Sequence, residues 1–237
     1  MSSGFFAFFA HTGFLSVLEE EGLLPTRLSG SSAGALVAGL FASGLSTKAL
    51  EEELLRLRRE DFWDVALGPG LLRGARFQSR LAQLLHDGTF EACRMPVSVS
   101  VFHLRTRKTH VIDRGALAPA LCASCAVPGM FHPVRVNGTR YWDGGVLDRP
   151  GLLGMKAHEA SGGRVLFHHI ESRSPWRAKD SEAMSIPQRE NVVTLVLTDL
   201  PRSGPFKLDA GRAALQVARE KTRRALSAPI VNGVVRV

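Results

Sequence analysis

Cysteine is scarce in this chain, with Cys93, Cys122 and Cys125 the only three in 237 residues. A small odd number cannot staple a disulfide framework and fits a reducing compartment. Cys122 and Cys125 have CxxC spacing, but no second CxxC completes a zinc site and no thioredoxin-type βαβ pattern surrounds them. Two small buried residues one helical turn apart is the expectation, and neither a metal nor a cofactor is implied. Long apolar runs are missing, so no transmembrane helix is expected. The N-terminus lacks the cationic flank and apolar core of a secretory signal, and the expectation is a cytoplasmic protein that at most touches a membrane peripherally. Repeats, low-complexity blocks and Pro/Ser-rich linkers are also wanting, which leaves a single domain over 1–237. Acidic residues are outnumbered 22 to 30, for a formal net charge of +8. Such a surface attracts acidic phospholipid headgroups, nucleic acid or anionic substrates. The cations are scattered along the chain without a nucleic-acid-reading motif, so nucleic acid is not the expected partner.

What the chain does contain is Arg27-Leu28-Ser29-Gly30-Ser31-Ser32-Ala33-Gly34-Ala35-Leu36. Gly30-x-Ser32-x-Gly34 has the spacing of a nucleophile elbow, a strand–turn–helix in which glycines two residues to either side let strand and helix pack closely while the serine is exposed at the tip. The helix that follows presents unpaired N–H groups, and the positive end of its dipole, to an oxyanion forming beside that serine. Ala35, Val37, Ala38, Leu40, Phe41 and Ala42 form a compact apolar helix ending at Gly44, the context the elbow requires.

Before the elbow, residues 1–10 hold four phenylalanines, which suit either core or an apolar lip around a lipid site. A helical pattern around Phe14 to Leu18 ends at Gly22, and a strand is expected at 26–29. After Gly44, Ser46 is a helix N-cap ahead of Leu50, Leu54 and Leu57. Residues 61–76, with Phe62, Trp63, Leu67, Leu71 and Leu72, read as an irregular cap segment over a cleft. A helix carrying Phe77, Leu81 and Leu85 ends near Asp87. Strands are expected at 96–104 and 109–112, and a helix at 117–124. Val134-Arg135-Val136, Asn137-Gly138 and Thr139-Arg140-Tyr141-Trp142 spell a hairpin with a type I′ turn. A helix at 151–160, strands at 165–170 and 191–198, a polar loop at 172–190 and a helix from Asp209 complete the pattern. Strands alternating with helices predict an α/β fold with a largely parallel central sheet covered on both faces.

Ser32 needs a base. A Ser-Asp-His triad could draw on Asp143 and His168 or His169, but too few residues precede Ser32 for an α/β-hydrolase sheet, and both histidines sit inside an expected strand. A Ser-Asp dyad is the other arrangement. Four segments in order, His11-Thr12-Gly13-Phe14-Leu15, Gly30-Ser31-Ser32-Ala33-Gly34, Ala123-Ser124-Cys125-Ala126-Val127-Pro128-Gly129-Met130-Phe131 and Tyr141-Trp142-Asp143-Gly144-Gly145-Val146, make the chain resemble the patatin-like phospholipases. The resemblance implies Ser32 as nucleophile and Asp143 as general base, with Gly144 and Gly145 shaping the aspartate's turn and Gly30 and Gly34 the elbow. It implies an acyl-ester hydrolase acting on phospholipids. One segment departs from the family, whose glycine-rich oxyanion loop aligns with Ser3-Gly4-Phe5-Phe6-Ala7-Phe8. The family's first strand has almost no room before it. Three accounts stay open at this point. Gly4, Phe5 and Phe6 can still donate N–H groups, with Ala33 assisting; the true start of the chain can differ; or the protein can be a weak or inactive relative that binds lipid.

Overall fold

The computed structural model describes residues 1–85, 88–171 and 186–237. The helix end expected at Asp87 and most of the polar loop expected at 172–190 lie outside them. In chain order, α1 (Phe8–Glu20) leads to β1 (Leu28–Ser31), α2 (Ala33–Ala42) and α3 (Thr47–Arg56). Next come β2 (Gly70–Leu72), α4 (Ala75–Leu85), β3 (Val97–His103), β4 (Lys108–Ile112) and α5 (Leu117–Ser124). Three short strands follow, β5 (Gly129–Phe131), β6 (Val134–Val136) and β7 (Thr139–Asp143). The chain then forms α6 (Lys156–Ala160), β8 (Val165–Ile170), β9 (Val192–Leu197), α7 (Leu208–Leu226) and β10 (Val234–Arg236).

The protein is α/β. Pairings are parallel at β1/β3, β2/β5, β8/β9 and β9/β10, and antiparallel at β3/β4, β3/β7 and β6/β7. One consequence of register builds the site. Val99 to His103 of β3 pair with β4, which occupies one edge of that strand. β1 and β7 must therefore share the other edge, and they run towards each other along it. β1 ends with Ser31 opposite Ser100, and β7 ends with Asp143 opposite Val101. The turn after β1 and the last residue of β7 thus meet end to end.

Residues 1–3 stitch this sheet to the three-stranded one. The Met1 nitrogen donates to Ser29 O (2.8 Å), and Ser31 N–H donates to Met1 O (3.3 Å). On the far side Ser2 N–H donates to His168 O (3.1 Å), and Ile170 N–H to Ser2 Oγ (2.9 Å). A three-residue extended segment between β1 and β8 thus does the work of a strand.

Every residue of α2 is buried, which accounts for its being apolar all round. Leu121 of α5 packs onto α2 where Gly39 leaves room, and α1 meets α7 where Gly13 faces the Leu215 carbonyl and Ala218. α3 carries its expected cap, Ser46 Oγ accepting from Ala49 N–H (3.2 Å). Asn137 and Gly138 take φ of 47° and 79°, as the type I′ turn demands.

Three elements differ from expectation. β1 starts at Leu28 because Thr26 and Arg27 stay exposed outside the sheet. α1 begins at Phe8, a turn earlier than its motif, because the phenylalanines divide: Phe9 is core and Phe5 is 54% exposed. The helix expected at 151–160 is a 3-10 turn, Leu153–Met155, running into α6. The Asp148 carboxylate takes the N–H groups of Gly151 (3.1 Å) and Leu153 (3.2 Å), so the α-helical start is displaced.

Candidate active site

Ser32 occupies the turn between β1 and α2 at φ 53° and ψ −123°, a conformation that costs a non-glycine residue roughly 1–3 kcal/mol. The flanking glycines explain how the chain tolerates it. A Cβ on Gly30 would lie 2.5 Å from Ala35 N, and one on Gly34 would lie 2.6 Å from Met1 C. Strand, helix and N-terminal stitch therefore approach more closely than any side chain allows. Ser32 N–H donates to Ser124 Oγ (2.8 Å), and Ser124 O–H donates to Ser100 O (2.8 Å). The last residue of α5 thus ties the strained turn to β3.

Asp143 lies at the meeting point set by the β3 register. Ser32 O–H donates to Asp143 Oδ2 at 2.6 Å, and Gly145 N–H donates to Oδ1 at 2.7 Å. The carboxyl is 4% exposed. Burial raises its pKa to about 6, against the opposing pull of the Ser32 and Gly145 hydrogen bonds. Such a group is ionised at neutral pH, yet basic enough to take a hydroxyl proton as a bond forms. Gly144 is needed because a Cβ there would overlap the Ser100 carbonyl, and Gly145 because one there would lie 2.8 Å from Ser3 Cβ.

Ser3, packed against Gly145, opens the segment 3–7, which therefore leaves from beside the dyad. The N–H groups of Gly4, Phe5, Phe6 and Ala33 have no acceptor among the described residues. Phe6 has φ 54°, the left-handed conformation glycine would adopt more readily. Its ring packs against Phe5 (5.0 Å between centroids), Phe8 (5.2 Å) and Phe62 (5.6 Å), and Ser203 O–H holds its carbonyl at 3.0 Å. The aromatic cluster offsets the backbone strain, so the loop keeps a glycine-like bend without glycine.

The expected cap segment 61–76 contains the Val65–Leu72 bridge, and β2 pairs it with β5 in the loop after Ser124. Val65, Leu67 and Leu71 are exposed, and Trp63 meets Phe206 edge to face at 5.2 Å between centroids, with Phe206 itself under the Arg59 guanidinium.

Neither histidine of the triad alternative hydrogen-bonds Ser32 or Asp143. His168 Nδ1 meets His11 Nδ1 at 2.9 Å, and His11 Nε2 meets Ser2 O at 2.8 Å. A carbonyl only accepts, so His11 Nε2 carries the proton and His11 Nδ1 accepts from His168 Nδ1–H. Burial lowers the His11 pKa to about 3 and takes His168 well below its ordinary value, so the pair is neutral. It holds residue 2, and hence the start of the 3–7 loop. Burial also pushes the Cys122 thiol up to about 12 and raises Cys125, as expected of packed cysteines rather than reactive ones.

Two residues escaped the sequence reading. Ser124 lies within a motif whose pattern says nothing of its role. Asp148 had no signal at all, yet its buried carboxylate accepts from Ser100 O–H (2.6 Å) and anchors the loop that carries Gly144 and Gly145.

An α/β sheet with a serine at a strained strand–turn–helix elbow and a buried carboxylate bonded to it defines the class of fold and site. The sequence profile described as patatin-like phospholipase matches residues 1–154, and the chain belongs to that family. An uncharacterized NTE family protein of Mycobacterium tuberculosis is 29% identical over 147 residues, 59% of this chain and 40% of that one. A lysophospholipase NTE1 of Yarrowia lipolytica is 22% identical over 159 residues, 64% of this chain and 11% of that one. The chain therefore spans two fifths or less of these curated relatives. Among solved structures, VipD from Legionella pneumophila shares the fold, with a TM-score of 0.64 at 16% identity, covering 95% of this chain and 66% of that one.

Proposed function

We propose that the protein is a serine acyl hydrolase that cleaves phospholipid or related acyl esters through Ser32 and Asp143. The 2.6 Å hydrogen bond from Ser32 Oγ to a buried carboxylate of raised pKa carries this reading. Asp143 Oδ2 takes the Ser32 proton as Oγ attacks the acyl carbonyl. The developing oxyanion is held by N–H groups from Gly4, Phe5 and Phe6, with Ala33 N–H at the positive end of α2 assisting. Asp143 passes the proton to the departing alcohol and the C–O bond breaks, leaving an acyl ester on Ser32. Water then attacks that ester, giving its proton to Asp143, which returns it to Ser32 as the fatty acid leaves.

The hydrolase unit takes in the whole of 1–237. β10 pairs with β9, and α7 packs on α1, so the part beyond residue 154 supports the site-bearing part. The exposed apolar residues of 61–76 suit contact with acyl chains. The chain's charge suits peripheral contact with an anionic lipid surface, and no described helix is long and apolar enough to cross a membrane.

Hydrolysis of lysophosphatidylcholine and of a short water-soluble acyl ester tests the proposal. The protein should cleave both, and Ser32→Ala should lower kcat by about 10³-fold or more with the fold intact by circular dichroism. Equal rates for the two proteins would sink it. Binding of lysolipid without turnover by the unmodified protein would favour the lipid-binding alternative.

A further inference from the structure

The fold gathers what the sequence scatters. β7 runs antiparallel to β3, so the β6–β7 turn at Asn137-Gly138 lies at the same end of the sheet as the β3–β4 turn at 104–107. Leu104 N–H donates to Arg140 O (3.2 Å), which joins the two turns. Five cations meet there: Arg105, Arg107, Lys108, Arg135 and Arg140, all exposed. None of them forms an ion pair among the described residues. Residues 97–112 and 126–142, which build this corner, contain no aspartate or glutamate. Arg135 and Arg140 stand directly opposite each other across the β6/β7 ladder, a like-charged placement that destabilises a sheet.

Several cations elsewhere are held in ion pairs. On α7, Arg219 and Arg223 pair with Glu20, and Arg219 also with Glu51. Arg80, Arg189, Arg212 and Arg236 have carboxylate partners too. Lys48, Lys156, Arg164 and Arg224 also lack an ion pair among the described residues. What sets the corner apart is that two turns bring five such cations together on segments without a carboxylate. A like-charged cross-strand pair gains nothing within the molecule. The corner lies close to the dyad. Arg140 is three residues before Asp143 on β7, roughly 10 Å at strand rise. Trp142, between them, is half-buried on the same face as Arg140, with its indole nitrogen turned into the protein.

We infer that this five-cation corner is an electrostatic docking surface for an anionic phospholipid bilayer, which it holds beside the Ser32–Asp143 site. The inference rests on the reading of that site as a lipid acyl hydrolase, since a protein without a lipid substrate has no need of a membrane there. Headgroup phosphates supply the negative charge that the corner lacks, at roughly fivefold in binding per cation engaged. The attraction falls as salt shortens the screening length.

The test is co-sedimentation of the full chain with vesicles of phosphatidylcholine alone, or of phosphatidylcholine with about a third phosphatidylserine, at low and high salt. Three further proteins are compared with the unmodified one. The first carries Arg105→Gln, Arg107→Gln, Arg135→Gln and Arg140→Gln. The second removes the same charge elsewhere, by Lys48→Gln, Lys156→Gln, Arg164→Gln and Arg224→Gln. The third is Ser32→Ala. Binding should require phosphatidylserine and be lost at high salt. It should fall by about two orders of magnitude or more in the corner variant while the distant variant and Ser32→Ala bind as the parent does. The corner variant should still cleave the short soluble ester at the parent rate, which shows that it folds. Equal loss in the corner and distant variants, equal binding to neutral vesicles, or tighter binding to a DNA duplex than to anionic vesicles overturns the docking surface. Binding and soluble-ester turnover are read separately, so failure of the docking surface is distinguishable from failure of the hydrolase reading.

Discussion

Asp143→Asn should lower kcat/KM for acyl esters by about 10³-fold while making the protein more stable at pH 8. The amide presents one oxygen and one NH2 group. With its oxygen kept by Gly145 N–H, it turns an N–H towards Ser32 Oγ, so the hydroxyl loses the acceptor of its proton. The stability gain follows from the sign of the pKa shift. Asp143 titrates near 6 in the folded protein against 3.8 for an ordinary aspartate. Between those values the folded state holds a proton that the unfolded state has released. The group's contribution is therefore most favourable below pH 3.8 and is lost as pH rises through about 6. Above that, the buried carboxylate costs about 3 kcal/mol, at 1.36 kcal/mol per unit. An uncharged amide of the same shape escapes that cost. Accordingly, kcat/KM of the parent should climb as pH rises through about 6 and then level off, while the variant's residual rate lacks that limb. Thermal melts at pH 5 and pH 8 check the other half: the variant's advantage should appear at pH 8 and shrink at pH 5. A variant that is both active and less stable at pH 8 would contradict the role assigned to the carboxylate.

Gly144→Ala should be the most damaging single methyl near the site. The added Cβ has no free direction, since it meets the Ser100 carbonyl and lies 2.9 Å from Ser31 Oγ. Backbone cannot swing aside as a side-chain tip can, so the end of β7 must move off β3 and carry Asp143 with it. Relief of such overlap costs about 3 kcal/mol, which is a fall in Tm of about 6–12 °C for a chain of this size. A displacement of about 1 Å between Asp143 and Ser32 costs about 10²-fold in rate. Gly138→Ala is the contrast. Its φ of 79° strains an alanine, but nothing lies within 4 Å of the new methyl. It should cost about 1 kcal/mol and leave activity unchanged. Melting curves and ester hydrolysis on the two variants separate these outcomes.

Much of the site could be read along the chain because its parts are local. The elbow needs Gly30, Ser32 and Gly34 within one turn, and the aspartate turn needs Gly144 and Gly145 beside Asp143. The Asn-Gly hairpin that delivers Asp143 is equally local. What could not be read depends on register between distant strands. That β1 and β7 share an edge of β3 and meet head-on is what places Ser32 against Asp143, and no spacing encodes it. Ser124 and Asp148 act across the fold by single hydrogen bonds, which leave no periodic trace. The 3–7 loop shows the opposite failure, where a motif rule expected glycine and found phenylalanine. The bend persists at Phe6 because Phe5 and Phe8, close in sequence, and Phe62 and Ser203, far from it, hold it. Charge was misleading in a related way. Cations that look dispersed along the chain are in part paired on α7, as Arg212, Arg219 and Arg223 are, and gather without ion pairs where two hairpin turns converge.

The central claim is that Ser32 is a nucleophile made reactive by Asp143. Its most direct test is covalent capture with a fluorophosphonate, followed by mass spectrometry of the peptide that contains the elbow. The account predicts one adduct per chain, on Ser32, formed faster as pH rises through about 6, absent in Ser32→Ala and strongly slowed in Asp143→Asn. An unlabelled Ser32 in a preparation that hydrolyses acyl esters, or labelling at a rate indifferent to Asp143→Asn, would contradict it.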